Sequence, residues 1–345
     1  MPIFVVYLEE MSEQKTKIGV IGSGSWATAM IKMLTDNHKD KVINWWVRKQ
    51  EDIDYIKSYQ HNPSYLSAVE IKLAEHTLFI DAKAVIQQSD IVILNTPAAY
   101  LEDALEGLTP EDMQGKIIVS AIKGIIPSLK EIVGEYLVDK YAVSTDDIIV
   151  VGGPCHAEEV SLEKLSYLTF ASKNTANAAF VAQFFQTHYI KTVISNDAIG
   201  VEYGAVLKNI YALAGGICHG IGYGDNFQAV LISNAIREME YFVDTLAPQD
   251  REINNSGYLG DLLVTAYSQF SRNRTFGTMI GKGYSVKSAQ LEMNMVAEGY
   301  FASDCIQEII NRHRLQMPIC NTVYDILYKN KSAVLAVKEL ADKLS

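Results

Sequence analysis

A β-branched run that breaks into two spaced glycines constrains this chain more than any other feature. Lys17-Ile18-Gly19-Val20-Ile21 reads as a buried strand; Gly22-Ser23-Gly24-Ser25-Trp26-Ala27 follows it and opens a helical stretch from Thr28 to Leu34. Gly22 permits a tight turn, Gly24 lets the backbone approach a pyrophosphate, and the small Ala27 allows close helix–sheet packing. The helix N-terminus then presents orphan N–H groups and partial positive charge to phosphates. A chain built this way is expected to wind an α/β sheet around a dinucleotide.

The residues that follow extend the pattern. Val42 to Val47, Asp90 to Asn95, Lys116 to Ser120, Asp147 to Val151 and Tyr167 to Ala171 are further strand runs separated by amphipathic stretches. Such alternation predicts βαβ units and a mostly parallel, Rossmann-like sheet. Near Ser195-Asn196-Asp197 the character changes to long helical periodicities. Asp225-Asn226 suits an N-cap, with Val230, Ile232, Ile236 and Met239 following at helical spacing. The expected organisation is an extension over residues 1–16, a dinucleotide-binding α/β domain over 17–194 and an all-α C-terminal domain over 195–345.

Composition narrows the partners. With 30 Lys+Arg against 41 Asp+Glu, the 345 residues carry a formal charge of −11, which disfavours nucleic acid or an anionic membrane surface. No apolar run reaches the ~18 residues of a membrane-spanning helix. The apolar opening Met1 to Leu8 lacks a basic start and meets Glu9-Glu10, a poor secretory signal. It reads as a short extra strand or a loose extension, with Met11 as an alternative start. Cys155, Cys218, Cys305 and Cys320 show no zinc spacing and read as reduced, buried thiols of a cytoplasmic protein. The histidines show no metal spacing either, so no metal is expected.

Several cations stand where chemistry would want them. Val201, Gly204, Ala205, Lys208, Tyr211, Ala212 and Gly215 share one helical face, small and apolar but for the lysine. A lysine there is costly unless paired or lining a polar cleft; desolvation lowers its pKa and suits it to proton transfer. The alternative is a lysine snorkelling at the helix edge. Lys123 ends an apolar strand, where open α/β sheets bind ligands. Arg272 offers a planar fork to a phosphate and Asn273 adds amide donors, or Ser271-Arg272-Asn273 caps a helix. Asp261 could orient Lys208 or a substrate hydroxyl, or simply close a turn. Arg48, after the second strand and before the first acid, Glu51, favours the 2′-phosphate of NADP while leaving NAD open. Cys155-His156 invites a dyad reading, but adjacent side chains in an extended segment point apart.

Taken in order, these motifs resemble the bacterial type of NAD(P)-dependent glycerol-3-phosphate dehydrogenase from about Lys17 to Leu327. The family's Gly-x-Gly-Ser-Trp-Gly-Thr-Ala appears as Gly22 to Ala29, with Ala27 for a glycine. Its Lys-Gly matches Lys123-Gly124, and its Gly-Pro-Ser-Phe-Ala-x-Glu-Val resembles Gly153 to Val160, with Cys155 for the serine and His156 for the aromatic. The helix with Lys-Asn and the following Gly-x-Gly-x-Asn resemble Val201 to Asn226. Gly260-Asp261-Leu262, Ser271-Arg272-Asn273, Val296-Ala297-Glu298-Gly299 and Met317-Pro318-Ile319 complete the set.

The resemblance implies reversible reduction of dihydroxyacetone phosphate to sn-glycerol 3-phosphate, feeding glycerophospholipid synthesis. It implies catalytic roles for Lys208, Lys123 and Asp261. It places Lys123, Gly153, Cys155, Lys208, Asp261, Thr265, Ser271, Arg272 and Asn273 around a small phosphate substrate. Gly22, Gly24, Ser25, Trp26, Arg48, Lys123, Ala157, Arg272, Val296 and Glu298 would meet the dinucleotide, NADP(H) preferred and NAD(H) admissible. A thiol at 155 is a weaker donor than a hydroxyl. A homodimer is compatible with this reading, although the sequence does not set the oligomeric state. The rivals are another two-domain β-hydroxyacid or sugar-acid phosphate dehydrogenase, and a non-catalytic dinucleotide-binding regulator.

Overall fold

Strands and helices alternate through the first half of the chain: β1 (Thr16–Ile21), α1 (Ser25–Asp36), β2 (Lys41–Trp46), α2 (Gln50–Tyr59), β3 (His76–Phe79), α3 (Ala82–Gln87) and β4 (Ile91–Leu94). The short α4 (Leu101–Ala104) and α5 (Pro110–Met113) lead to β5 (Ile117–Ser120), a ribbon of β6 (Ile125–Ile126) and β7 (Glu131–Ile132), α6 (Val133–Tyr141) and β8 (Ile148–Gly152). Then come α7 (Ala157–Ser161), β9 (Ser166–Ala171), α8 (Thr175–Ala182) and β10 (Ile190–Ser195). Helices follow: α9 (Ala198–Ile221), α10 (Asp225–Leu246), α11 (Asp261–Tyr267), α12 (Arg272–Gly281), α13 (Val286–Glu292), α14 (Glu298–His313), α15 (Pro318–Tyr328) and α16 (Ala333–Ala341). This computed structural model describes residues 15–72, 76–293 and 297–345. The extension up to residue 14 and Val296 lie outside the described residues.

The eight-stranded sheet runs β10-β9-β8-β5-β4-β1-β2-β3. All neighbours are parallel except β8 and β9. Because β1 lies between β2 and β4, the strand order reverses at β1/β4, and the carboxyl ends there are where open α/β sheets bind ligands. The strand runs read from β-branched residues are all present. β3 and β10 complete the sheet; β3 is short, and β10 is an edge strand whose mixed exposure gives little signal.

Apolar residues cover both faces of the sheet. Met30, Leu34, Trp45 and Ile93 belong to the core of one face; Ile21, Leu94, Leu101 and Leu137 belong to that of the other. The third and largest core surrounds α9, which is buried from Gly200 to Cys218, and it takes in Ile125, Ile132, Val150 and Ala171 from the first half.

The α10 expectation needs correction. Gly224, not Asp225 or Asn226, is the N-cap: α9 ends in left-handed Gly222 (φ 109°), and α10 restarts three residues later. Asp225 instead sits in the first turn, where its charge suits the helix dipole. Val230 is exposed and Ile236 only half-buried; the inward face is Leu231, Ile232, Ala235, Glu238, Met239, Phe242 and Val243.

Candidate active site

The glycine turn is held by side chains that leave its outer surface clear. Trp45 donates its indole N–H to the Gly22 carbonyl at 2.7 Å, and the Asn62 amide donates to the Ser23 carbonyl at 3.0 Å. Gly22 has φ 132°, and a Cβ there would lie 2.8 Å from the Asn95 carbonyl oxygen, so only glycine lets β1 turn so close to β4. Gly24 is the N-cap of α1 and brings no side chain to the cap; nothing stands within 4 Å of where its Cβ would be. Around this open ground Asn95 Oδ1 and Nδ2, Thr96 Oγ1 and Trp26 Nε1 are buried without hydrogen-bond partners among the described residues. Buried polar atoms are ordinarily satisfied. A cradle clear of side chains, a helix N-terminus and orphaned polar groups together fit a dinucleotide.

The other expected cofactor residues surround it unequally. Ser25 and Trp26 begin α1 and are half-buried, and Ala157 is the buried first residue of α7. Arg48 is exposed just beyond β2, with no ion pair among the described residues. Glu298 begins α14 with its carboxylate against Gly124, whose Cβ would lie 2.7 Å from Oε2. Burial raises the Glu298 pKa, opposed by the nearby Arg272 guanidinium and the Ala98 backbone. Arg272 itself is exposed at the start of α12.

The second cluster centres on Lys208, in the middle of α9 and 3% exposed. Its ammonium is paired with the carboxylate of Asp261, the first residue of α11 and 2% exposed. The lysine is therefore paired, not snorkelling. Burial pulls its pKa down to about 7; Asp261 opposes this, and the second cation, Lys123, reinforces it. Lys123 follows β5 and holds its Nζ 5.1 Å from the Trp26 ring centroid, between the dinucleotide cradle and Lys208. Asp261 Oδ2 has no hydrogen-bond partner among the described residues.

Of the remaining expected substrate residues, Cys155 and Thr265 lie beside this cluster, Asn273 reaches it through Asn209, and Gly153 and Ser271 serve local turns. Gly153 turns the chain after β8 with φ 101°, where a Cβ would meet the Tyr167 carbonyl oxygen at 2.7 Å. Burial pushes the Cys155 thiol up to about 12, so it is an inert thiol rather than a nucleophile. His156 is half-buried against the edge of Phe270; burial, then Lys123 and Lys208, lower its pKa. Thr265 donates its hydroxyl to the Asp261 carbonyl at 2.7 Å. Ser271 caps α12 by accepting the Arg274 N–H at 3.3 Å. The Asn273 amide donates to Asn209 Oδ1 at 2.9 Å and accepts the Gly299 N–H at 2.9 Å. Asn209 in turn donates to the Lys123 carbonyl at 2.8 Å.

The N-terminal model of NAD-dependent glycerol-3-phosphate dehydrogenase matches residues 17–178, and the C-terminal model matches residues 197–338. The chain belongs to the NAD-dependent glycerol-3-phosphate dehydrogenase family. A relative from Salinibacter ruber, named glycerol-3-phosphate dehydrogenase (NAD(P)+) 2, is 32% identical over 326 residues, covering 94% of each chain. One of the same enzyme name from Thermoanaerobacter is 34% identical, covering 94% of this chain and 96% of its own. The crystal structure of glycerol-3-phosphate dehydrogenase from Coxiella burnetii superposes with a TM-score of 0.87 at 25% identity, covering 95% of this chain and 99% of that one.

Lys123 thus links the two halves of the chain, meeting Trp26 on one side and, through its carbonyl, Asn209 and Asn273 on the other. Three further contributors stand outside the expected site residues. Asn95 and Thr96 follow β4 as polar residues at a strand's carboxyl end, a signal that was legible. Asn209 sits beside Lys208, but only the fold joins it to Lys123. The third is a helix crossing. A Cβ at Gly216 or Gly220 of α9 would come within 2.4 Å of an α12 carbonyl oxygen. A Cβ at Gly277 or Gly281 of α12 would do the same to an α9 carbonyl oxygen. Backbone-on-backbone packing therefore sets how far the Lys208 helix stands from the Ser271–Asn273 turn.

Proposed function

We propose that this family member catalyses the reversible NAD(P)H-dependent reduction of dihydroxyacetone phosphate to sn-glycerol 3-phosphate. The observation that carries the reading is the buried Lys208–Asp261 pair, with Lys123 standing between it and Trp26 of the glycine turn. When bound, the reduced nicotinamide would supply the hydride to the C2 carbonyl carbon. Negative charge then grows on the C2 oxygen, where Lys208 stabilises it and delivers a proton. Asp261 holds the ammonium in place, while burial, reinforced by Lys123, keeps the lysine's pKa low enough for it to give up the proton near neutrality. Arg272, Asn273 and Ser271 anchor the phosphate, and that remote binding energy positions the carbonyl. Gly153, Cys155 and Thr265 complete the substrate walls.

We propose the division at 194/195 as one between dinucleotide and substrate halves. Exposed Arg48 supports a preference for NADP(H), since a guanidinium pairs well with a 2′-phosphate. Four buried free cysteines support a cytoplasmic site of action, with the product entering glycerophospholipid synthesis. The test is to follow NADPH and NADH absorbance with dihydroxyacetone phosphate. Oxidation of either cofactor, absent with 2-keto acids and sugar-acid phosphates, is expected. Cofactor binding without turnover would overturn the reading.

A further inference from the structure

Glu202 is the one buried acid of α9, and it points away from the reaction centre. It is 2% exposed, and both carboxyl oxygens accept the Gly134 N–H, each at 3.2 Å. Gly134 lies in the first turn of α6, whose N-cap residue Ile132 has no side chain to offer. The Val133 N–H and the Ser120 hydroxyl also lie close to the carboxyl, as does Glu135, which the Tyr203 hydroxyl meets at 3.4 Å. A Cβ at Gly134 would fall 2.8 Å from Glu202 Oε2, so the fit is close.

Seven residues on, Asn209 occupies the same face of α9, two turns or about 10.5 Å farther along. Its amide donates to the Lys123 carbonyl at 2.8 Å. The segment leaving β5, from Ser120 to Lys123, is therefore bracketed by two side chains of the helix that carries Lys208. The α12 seam sets the spacing of α9 from its helical neighbour; these two side chains, two turns apart, tie its other side to the sheet rim and oppose rotation and sliding there.

We propose that Glu202 is a positioning residue for the reaction: by binding the start of α6 it fixes the rotation and height of α9 on the sheet rim, and thereby the placement of Lys208 against Lys123. This rests on the reading of Lys208 as proton donor. The carboxyl is costly to bury, and a serine or aspartate at position 132 would cap α6 without that cost. What a local cap would not do is tie α6 to the catalytic helix. Burial pushes Glu202 up to about 8, and either protonation state accepts the Gly134 N–H.

The experiment compares Glu202→Gln with Glu202→Asp in the full chain. The amide keeps the reach and an acceptor oxygen; aspartate keeps the charge but withdraws the carboxyl by one methylene. Three quantities are read: kcat and KM for dihydroxyacetone phosphate and NADPH, the pH limb assigned to Lys208, and hydrogen exchange in the first turn of α6. Displacement of a catalytic group by about 1 Å can cost 100-fold, so Glu202→Asp should lower kcat at least about tenfold. Its KM for NADPH should be unchanged. Its Lys208 limb should move to higher pH as Lys123 recedes, with Asp261, Cys155 and His156 the other groups facing that lysine. Glu202→Gln should stay within about threefold of the parent on every count.

Unchanged kcat and limb in Glu202→Asp, despite lost protection in α6, would overturn the proposal. So would Glu202→Gln falling as far as Glu202→Asp, and if the aspartate variant does not fold, the glutamine variant alone decides by the same threshold. If the parent enzyme does not turn over dihydroxyacetone phosphate, the function reading has failed. Exchange protection in α6, kept by Gln and lost by Asp, then still decides the clamp.

Discussion

Lys208→Met separates chemistry from folding in a way the structure makes calculable. Methionine keeps the length and apolar body of the lysine, so α9 can still pack. Loss of the general acid typically costs 10²–10⁴ in rate, and loss of charge opposite the forming alkoxide adds to it. We expect kcat to fall at least about 100-fold, which is roughly 2.7 kcal/mol of barrier. The substitution also strands Asp261, 2% exposed, without its counter-ion. Removing one partner of a buried pair costs about 3–5 kcal/mol. On the scale of domains of 150–250 residues that lowers Tm by about 6–20 °C. Lys208→Met/Asp261→Asn removes both charges and should recover most of that stability and none of the rate. The assay pairs steady-state NADPH oxidation at 25 °C with a thermal melt of each variant. If the double variant is folded, binds NADPH and retains more than about a tenth of parental kcat, Lys208 is not the proton donor.

Three further outcomes are expected. Reduction needs the Lys208 ammonium and oxidation its free amine, so kcat/KM should fall with rising pH through about 7 for the first and climb for the second. Profiles moving in the same direction would exclude this group. The unfolded chain holds that proton to higher pH than the folded one, so this lysine's contribution to stability grows as pH rises from about 7 toward 10.5. Arg48→Ala should raise KM for NADPH much more than for NADH; equal responses would remove the 2′-phosphate contact. Gly24→Val adds a side chain into open space, so Tm should hold while dinucleotide affinity drops at least about tenfold, read by fluorescence titration.

The parts legible in the sequence were those whose signal is local. β1, the glycine turn and α1 adjoin in the chain, and each announces itself by periodicity or by glycine. Lys208 was legible because a cation interrupts an otherwise apolar face. Contacts made across the fold were not. Nothing in Ser166–Ala171 announces that β9 runs against β8, and the pairing of Glu202 with Gly134 spans 68 residues. The face drawn around Lys208 was real but not distinctive, since α9 is buried on every side from Gly200 to Cys218. Val230 went wrong for a related reason: periodicity gives the spacing of an apolar stripe, but its neighbours set which way the stripe turns.

The crossing of α9 and α12 at four glycines limits how this catalyst can diversify. No β-carbon can be added along that seam without prying two backbones apart, and the gap between Lys208 and the Ser271–Asn273 turn would open with them. The scaffold is thus a fixed jaw. On the proposed function, drift in the size or polarity of what is turned over would come instead from the loop leaving β8. Cys155 and His156, two departures from the family pattern, both stand on that loop.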